Sequence, residues 1–225
     1  MIRVHVICEG QTEETFTHEL LAPHFQAMNV DLRPSLVGNP GHKGGVVKFE
    51  RVQRDIRNRL RGDKTAYCTT FFDFYGLDSV FPGKRLATGS TASKHRIVCM
   101  HLQKELSKSL DENALRRFIP YVQMHEFEAL LFSDPQRLAT GLYQETLREE
   151  LETIRRAFGS PEDINDAQDS CPSARLTRLV SGYEKPTYGV LAALEIGLPA
   201  IRRECQLFDK WIKQLEQLSA QRADL

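Results

Sequence analysis

Four acids stand where apolar runs of the chain stop. Glu9 follows the run IRVHVIC, Asp73 closes on AYCTTFF, and Glu126 and Glu128 lie in HEFE, directly after FIPYVQM. If those runs are strands of one sheet, their ends bring carboxylates from distant parts of the chain to a common edge, where α/β proteins place their chemistry. Acids held a few ångströms apart repel unless a cation neutralises them or their pKa values rise. Mg²⁺ suits such a set, because it is a hard cation that takes carboxylate oxygens and keeps waters and substrate phosphates in its other positions. Bound there, Mg²⁺ or Mn²⁺ activates water and stabilises charge developing on a phosphodiester. The expectation is therefore a metal site built from Glu9, Asp73, Glu126 and Glu128, with Glu9 and Asp73 at its catalytic centre. Each acid also has an ordinary reading: Glu9 as a solvated turn residue, Asp73 as a side chain bonding its own turn, Glu126 and Glu128 as helix-start acids. His125 is placed to be a base or a ligand, but a lone histidine beside an apolar helix more often packs structurally, and it is not counted as a metal ligand.

Positioning these acids requires a βαβ rhythm. The first strand breaks at Glu9-Gly10 into a helix running to about Met28, with Glu13 and Glu14 in its first turn, where the helix dipole favours acids. A second strand is expected at 30–37, then the loop GNPGHKGG. The following helix carries Val46, Val47, Phe49, Val52, Ile56 and Leu60 on one face and arginines on the other. Residues 66–75 and 118–124, rich in aromatic and β-branched side chains, are the next strong strands. Between them lie a long loop, 76–93, and a helix to about Leu110. Alternation of this kind implies an α/β fold with a mostly parallel sheet and helices on its faces. The last third reads as helical, with segments at 143–158, from Pro172, at 190–196 and at 207–218.

Length and composition fit one sizeable core over about residues 1–135 and a helical C-terminal part, 136–225, packed on it. No apolar run approaches the roughly 18 residues of a membrane span, and the start MIRVHV enters a strand instead of a signal peptide, so a cytoplasmic protein is expected. Five widely spaced cysteines without a CxxC pair read as reduced core thiols. Thirty basic and thirty acidic residues cancel, but Lys43 to Lys64 is basic and Glu145 to Asp169 acidic. Arg54 and Arg57 on the basic helix could contact phosphate or could form an ordinary solvated face. Arg175 and Lys185 are further phosphate candidates, with surface ion pairs to the acidic segment as the alternative. A lysine beside the metal would stabilise transition-state charge. No GxxxxGK or GxGxxG loop is present, which disfavours a nucleotide-binding enzyme.

Taken together, ICEGQTEETF, FFDFYGL, HEFEALLFSD, SPEDIND, PSARL and EKPTYG resemble a bacterial and archaeal family of uncharacterised proteins with a TOPRIM-like, Rossmann-like fold, and the resemblance spans nearly the whole chain. The opening EGxTE is similar to the start of TOPRIM domains in topoisomerases, primases and overcoming-lysogenization-defect nucleases. By that resemblance Glu9 is the strand-end glutamate and Asp73 the first aspartate of an Asp-x-Asp pair; Lys185, as a lysine beside the metal, is the third catalytic candidate on the charge argument alone. The pair is broken here, since Phe74 and Tyr75 follow Asp73. Glu126 or Glu128 must supply the missing acid, or the metal site is weaker. The resemblance implies a metal-dependent nuclease acting on DNA or RNA, a phage-defence or mobile-element effector held by an AAA/SMC-like ATPase partner. The competing class is a non-catalytic module that uses the same fold to bind that ATPase.

Overall fold

In the computed structural model, residues 1–38, 46–164 and 169–221 are described. Lys43, Asp166 and nearly all of the GNPGHKGG loop lie outside them. The strands are β1 (Ile2–Cys8), β2 (Val30–Leu36), β3 (Tyr67–Asp73), β4 (Phe118–Ile119) and β5 (Val122–Gln123). All pairings are parallel, in the order β2-β1-β3-β4, with β5 also on β3. A mostly parallel sheet flanked by helices is thus the architecture. Burial on both faces explains why IRVHVIC and YCTTFFD are near-continuous apolar runs instead of alternating ones.

The first helix is drawn in three pieces, α1 (Gln11–Phe16), a π turn (Thr17–Leu21) and α2 (Ala22–Gln26). Next come α3 (Phe49–Gly62), α4 (Thr91–Leu106) and α5 (Glu112–Leu115). The C-terminal helices are α6 (Pro135–Gly141), α7 (Arg148–Arg156), α8 (Pro172–Leu179), α9 (Val190–Ile196), α10 (Leu198–Glu204) and α11 (Gln206–Gln221). One core, on the face covered by α3 and α4, joins Ile7, Phe72 and Val122 to Val52, Ile56, Val98 and Leu102. The other joins Val6, Phe16 and Phe71 to Phe127, Leu130, Phe208 and Trp211. The helical third therefore closes one face of the sheet. All five cysteines are buried as free thiols. Among the described residues no helix is long and apolar enough to cross a membrane.

The strand expected at 118–124 is two short strands. Pro120 has no N–H for the ladder, and the break is bridged by hydroxyls of β3. Thr69 Oγ1 donates to Ile119 O at 2.6 Å, and Thr70 Oγ1 donates to Tyr121 O at 2.7 Å while accepting from Tyr121 N at 3.1 Å. Trp211 Nε1 donates to the same Thr69 hydroxyl, tying α11 to the sheet at this point. The helix expected at 143–158 is shorter, starting as a 3₁₀ turn and continuing as α7.

Candidate functional site

β1 and β3 are adjacent and parallel, with Cys8 opposite Phe71, so the residues that follow them share one edge. Glu9 folds across β3: its Oε2 accepts from Asp73 N at 2.9 Å. Gly76 lets it do so. A Cβ there would stand 2.1 Å from Glu9 Oε1 and 2.4 Å from Oε2, closer than any carbon can approach. Gly76→Ala is accordingly expected to expel Glu9 from its bond and cost about 1–3 kcal/mol, the range for a buried acceptor and donor parted. A chemical melt beside wild type measures it, and an unchanged midpoint would show that Glu9 is free to move.

α1 adds a second acid. Glu13 lies one helical turn beyond Glu9 and is buried, and its Oε2 accepts from Gly10 N at 2.9 Å. From the third strand region comes Glu128, in a 3₁₀ turn (Phe127–Ser133) whose side chains are all buried. Into this group reaches Lys185, which opens a π turn (Lys185–Gly189) ahead of α9. Its Nζ is 3.1 Å from Asp73 Oδ2 and 2.8 Å from Glu128 Oε2, the latter a close ion pair without the angle of a directed hydrogen bond. Asp73 and Glu128 are 6% and 0% exposed against 34% for Lys185, so water reaches the cluster past the lysine.

Three buried carboxyls, of Glu13, Asp73 and Glu128, and the half-buried Glu9 face one ammonium and set the electrostatics. Burial, followed by the charges of Asp73 and Glu13, pushes Glu9 up to about 9. Burial and Asp73 push Glu13 up to about 8, although Lys185 opposes the shift. Glu128 rises to about 7, with burial leading and Lys185 again opposing. Asp73 is also raised, by burial first and despite Lys185. For Lys185 itself burial disfavours charge, but Asp73 and Glu128 outweigh it, and the ammonium is held well above its ordinary value. Tyr183 stands at the rim, its phenol raised by burial and by the Glu128 charge.

Of the residues singled out from the sequence, Glu9, Asp73, Glu128 and Lys185 are brought together. Glu126 lies beside Asp73 and adds to its charge repulsion, but its carboxylate is turned to α8, where Oε2 accepts from Ser173 N at 2.9 Å and Oε1 from Ser173 Oγ at 3.0 Å. It serves there as an acid at a helix N-terminus. Arg175 donates to Ser170 O and lies over the Phe158 ring, 5.5 Å from its centroid. Arg54 and Arg57 lie on α3, and the former pairs loosely with Asp55 at 3.4 Å. His125 Nδ1 sits 3.1 Å from Ile164 O, consistent with a packed histidine. Glu13 was the residue not singled out. Its signal is the Gly10-to-Glu13 spacing, the reach at which a side chain three residues into a helix returns to the N-cap N–H and so bends back towards Glu9.

The family model described as Domain of unknown function (DUF4276) matches residues 8–216. The chain belongs to the DUF4276 family. No curated protein and no solved structure matches it. The DUF4276 match opens one residue before Glu9 and encloses every member of the carboxyl cluster, Lys185 included.

Proposed function

We propose that this DUF4276 chain is a Mg²⁺- or Mn²⁺-dependent enzyme that cleaves a nucleic-acid phosphodiester, built on a TOPRIM-like arrangement and working as a cytoplasmic defence or mobile-element effector with an AAA/SMC-like ATPase. The observation that carries the reading is the convergence of Glu9, Glu13, Asp73 and Glu128 on a single ammonium at the sheet edge. So much buried acid is costly to ionise, and a divalent cation would relieve it. The donor set fits one. It is all oxygen, and Asp73 Oδ1 is buried without a hydrogen-bond partner. Among the described residues no three of His, Cys, Asp and Glu are arranged about one ion, but Mg²⁺ is commonly held by one or two carboxylates and waters. Glu9 and Asp73 would hold it, and Glu126 beside Asp73 would join only on turning from Ser173.

When bound, the ion would supply charge neutralisation and a more acidic water. Lys185, charged at neutral pH and reachable by solvent, would bind a non-bridging phosphate oxygen and stabilise charge there. Glu128, with its pKa near 7, would accept or return a proton within the working pH range. Arg54 and Arg57 would steer the phosphate backbone, and Arg175 would contribute only after leaving Ser170. A second reading, a non-catalytic TOPRIM-like module for the ATPase, is favoured by one fact: Lys185 already neutralises part of the cluster.

The test is cleavage of plasmid DNA and total RNA by the chain, alone and together with the AAA/SMC-like ATPase proposed as its partner. Cleavage should need Mg²⁺ or Mn²⁺ and disappear with chelator. A pair that cuts neither substrate with either metal assigns the chain to the module.

A further inference from the structure

A large concavity lies away from the acids, over the open sheet edge. It measures about 930 Å³ and sits between α4 and α11, floored by Phe118, Ile119 and Pro120. Its cations are Arg96, Arg116, Arg117 and Lys210, and among the described residues no carboxylate lines it. A second hollow of about 690 Å³ adjoins it across Arg116 and Arg117 and adds Arg61 and Lys64. The one acid there, Asp111, is taken up by the N–H of Ala114. In a chain whose charges cancel, this is a strong local separation.

The cations differ in availability. Arg117 donates to the carbonyls of Leu60, Asp63 and Ala66, so it fixes the wall instead of offering a hand. Arg116 pairs with exposed Glu112. Lys64, Arg96 and Lys210 are exposed and make no ion pair among the described residues.

α3 joins this groove to the acid edge. It starts beside Gly76, where Val47 N donates to Gly76 O at 2.8 Å, and Gly76 touches Glu9. It ends at Gly62, next to Lys64, having covered about 21 Å at 1.5 Å per residue. Arg54, Arg57 and Arg61 follow one another at spacings of three and four along it, a single helical stripe. Glu50 heads the stripe in the first turn, and from Arg54 onward positive charge runs along α3 to the groove.

We infer that the groove formed by Lys64, Arg96, Arg116 and Lys210 is a binding site for the phosphate backbone of a nucleic-acid strand, gripping it roughly 20 Å from the carboxyl cluster, the length of β3. The inference rests on the nucleic-acid reading of the chain but not on cleavage. An acidic protein would suit the charge of the groove, yet it would leave unexplained the arginine stripe that continues from it along α3, on the side of the sheet edge where the acids lie.

The experiment is binding of fluorescently labelled 30-mer DNA and RNA, single- and double-stranded, by anisotropy in chelator, with wild type and the double variant Arg96→Glu with Lys210→Glu. Both residues are exposed, so matching thermal melts establish that the variant folds. A Kd raised at least tenfold, with a salt slope smaller by about two, is expected for two lost phosphate contacts. Unchanged affinity and slope overturn the inference. So does a wild type that binds no nucleic acid at low salt, or equal competition by poly-glutamate of matched charge, which would give the groove to an acidic protein. Binding that depends on Arg96 and Lys210 in a chain that cuts nothing leaves this inference standing and removes the catalytic one alone.

Discussion

Glu9→Gln is expected to abolish cleavage, by about a thousandfold or more, while making the metal-free protein more stable at alkaline pH. Both effects come from deleting one charge and keeping the shape, since glutamine still offers an oxygen to the Asp73 N–H that Glu9 now serves. Loss of a ligand that acts only on the developing charge lowers turnover without weakening substrate binding. The stability effect has a definite sign. Glu9 titrates at about 9 when folded, against the ordinary 4.5. A carboxyl raised in this way favours the folded state fully below its unfolded pKa, and the advantage drains away as pH rises towards the folded value. Between those limits the slope is roughly 1.4 kcal/mol per pH unit, so by pH 7 the native state has given up as much as about 3 kcal/mol through this group. The variant should melt like wild type near pH 4.5 and progressively higher between pH 5 and 9, in chelator. Glu13, at about 8, and Glu128, at about 7, keep part of the slope in place. A uniform loss of several kcal/mol at every pH would mean that Glu9 is a structural acceptor and nothing more.

What the chain disclosed beforehand was the part governed by local rules. The strand-to-turn breaks at Glu9 and Asp73 follow from apolar runs that end abruptly, and the parallel pairing of β1 with β3 then fixes the common edge. Lys185 was legible as a cation in EKPTYG but not as the partner of Asp73, because 112 residues separate them and only the packing of the turn before α9 closes that gap. Glu126 and Glu128 could not be told apart. They are two residues apart on a segment whose extended backbone at Glu126 gives way to a 3₁₀ turn, and that change of period sends one to α8 and the other into the cluster. The local bond of Arg175 was hidden for a similar reason: a nearby carbonyl, Ser170 O, takes the guanidinium. The basic helix announced a charged face, but the groove it leads to is assembled from α4, α5 and α11 and has no local sequence signature.

Lys185→Met should produce the largest loss of stability, and the loss should depend on pH. The ammonium is the positive charge that contacts Asp73 and Glu128, both buried, and its removal leaves them facing Glu9 and Glu13 uncompensated. Breaking one side of a buried pair costs about 3–5 kcal/mol, and with a third of the lysine side chain in water a discounted figure of about 2–3 kcal/mol is appropriate at pH 8. Near pH 5, where Glu13 and Glu128 are protonated in the folded state as they are not fully at pH 8, a good part of that difference should disappear. Urea titrations of wild type and variant at the two pH values measure it, with equal m-values as the check that the same surface unfolds. An equal loss at both would trace to packing of the lysine stem, and no loss at either would place the ammonium in solvent. If the cluster takes a divalent cation, Mg²⁺ should also raise the midpoint of Lys185→Met more than that of wild type, because the ion then supplies the charge the variant lacks and binds the native state alone.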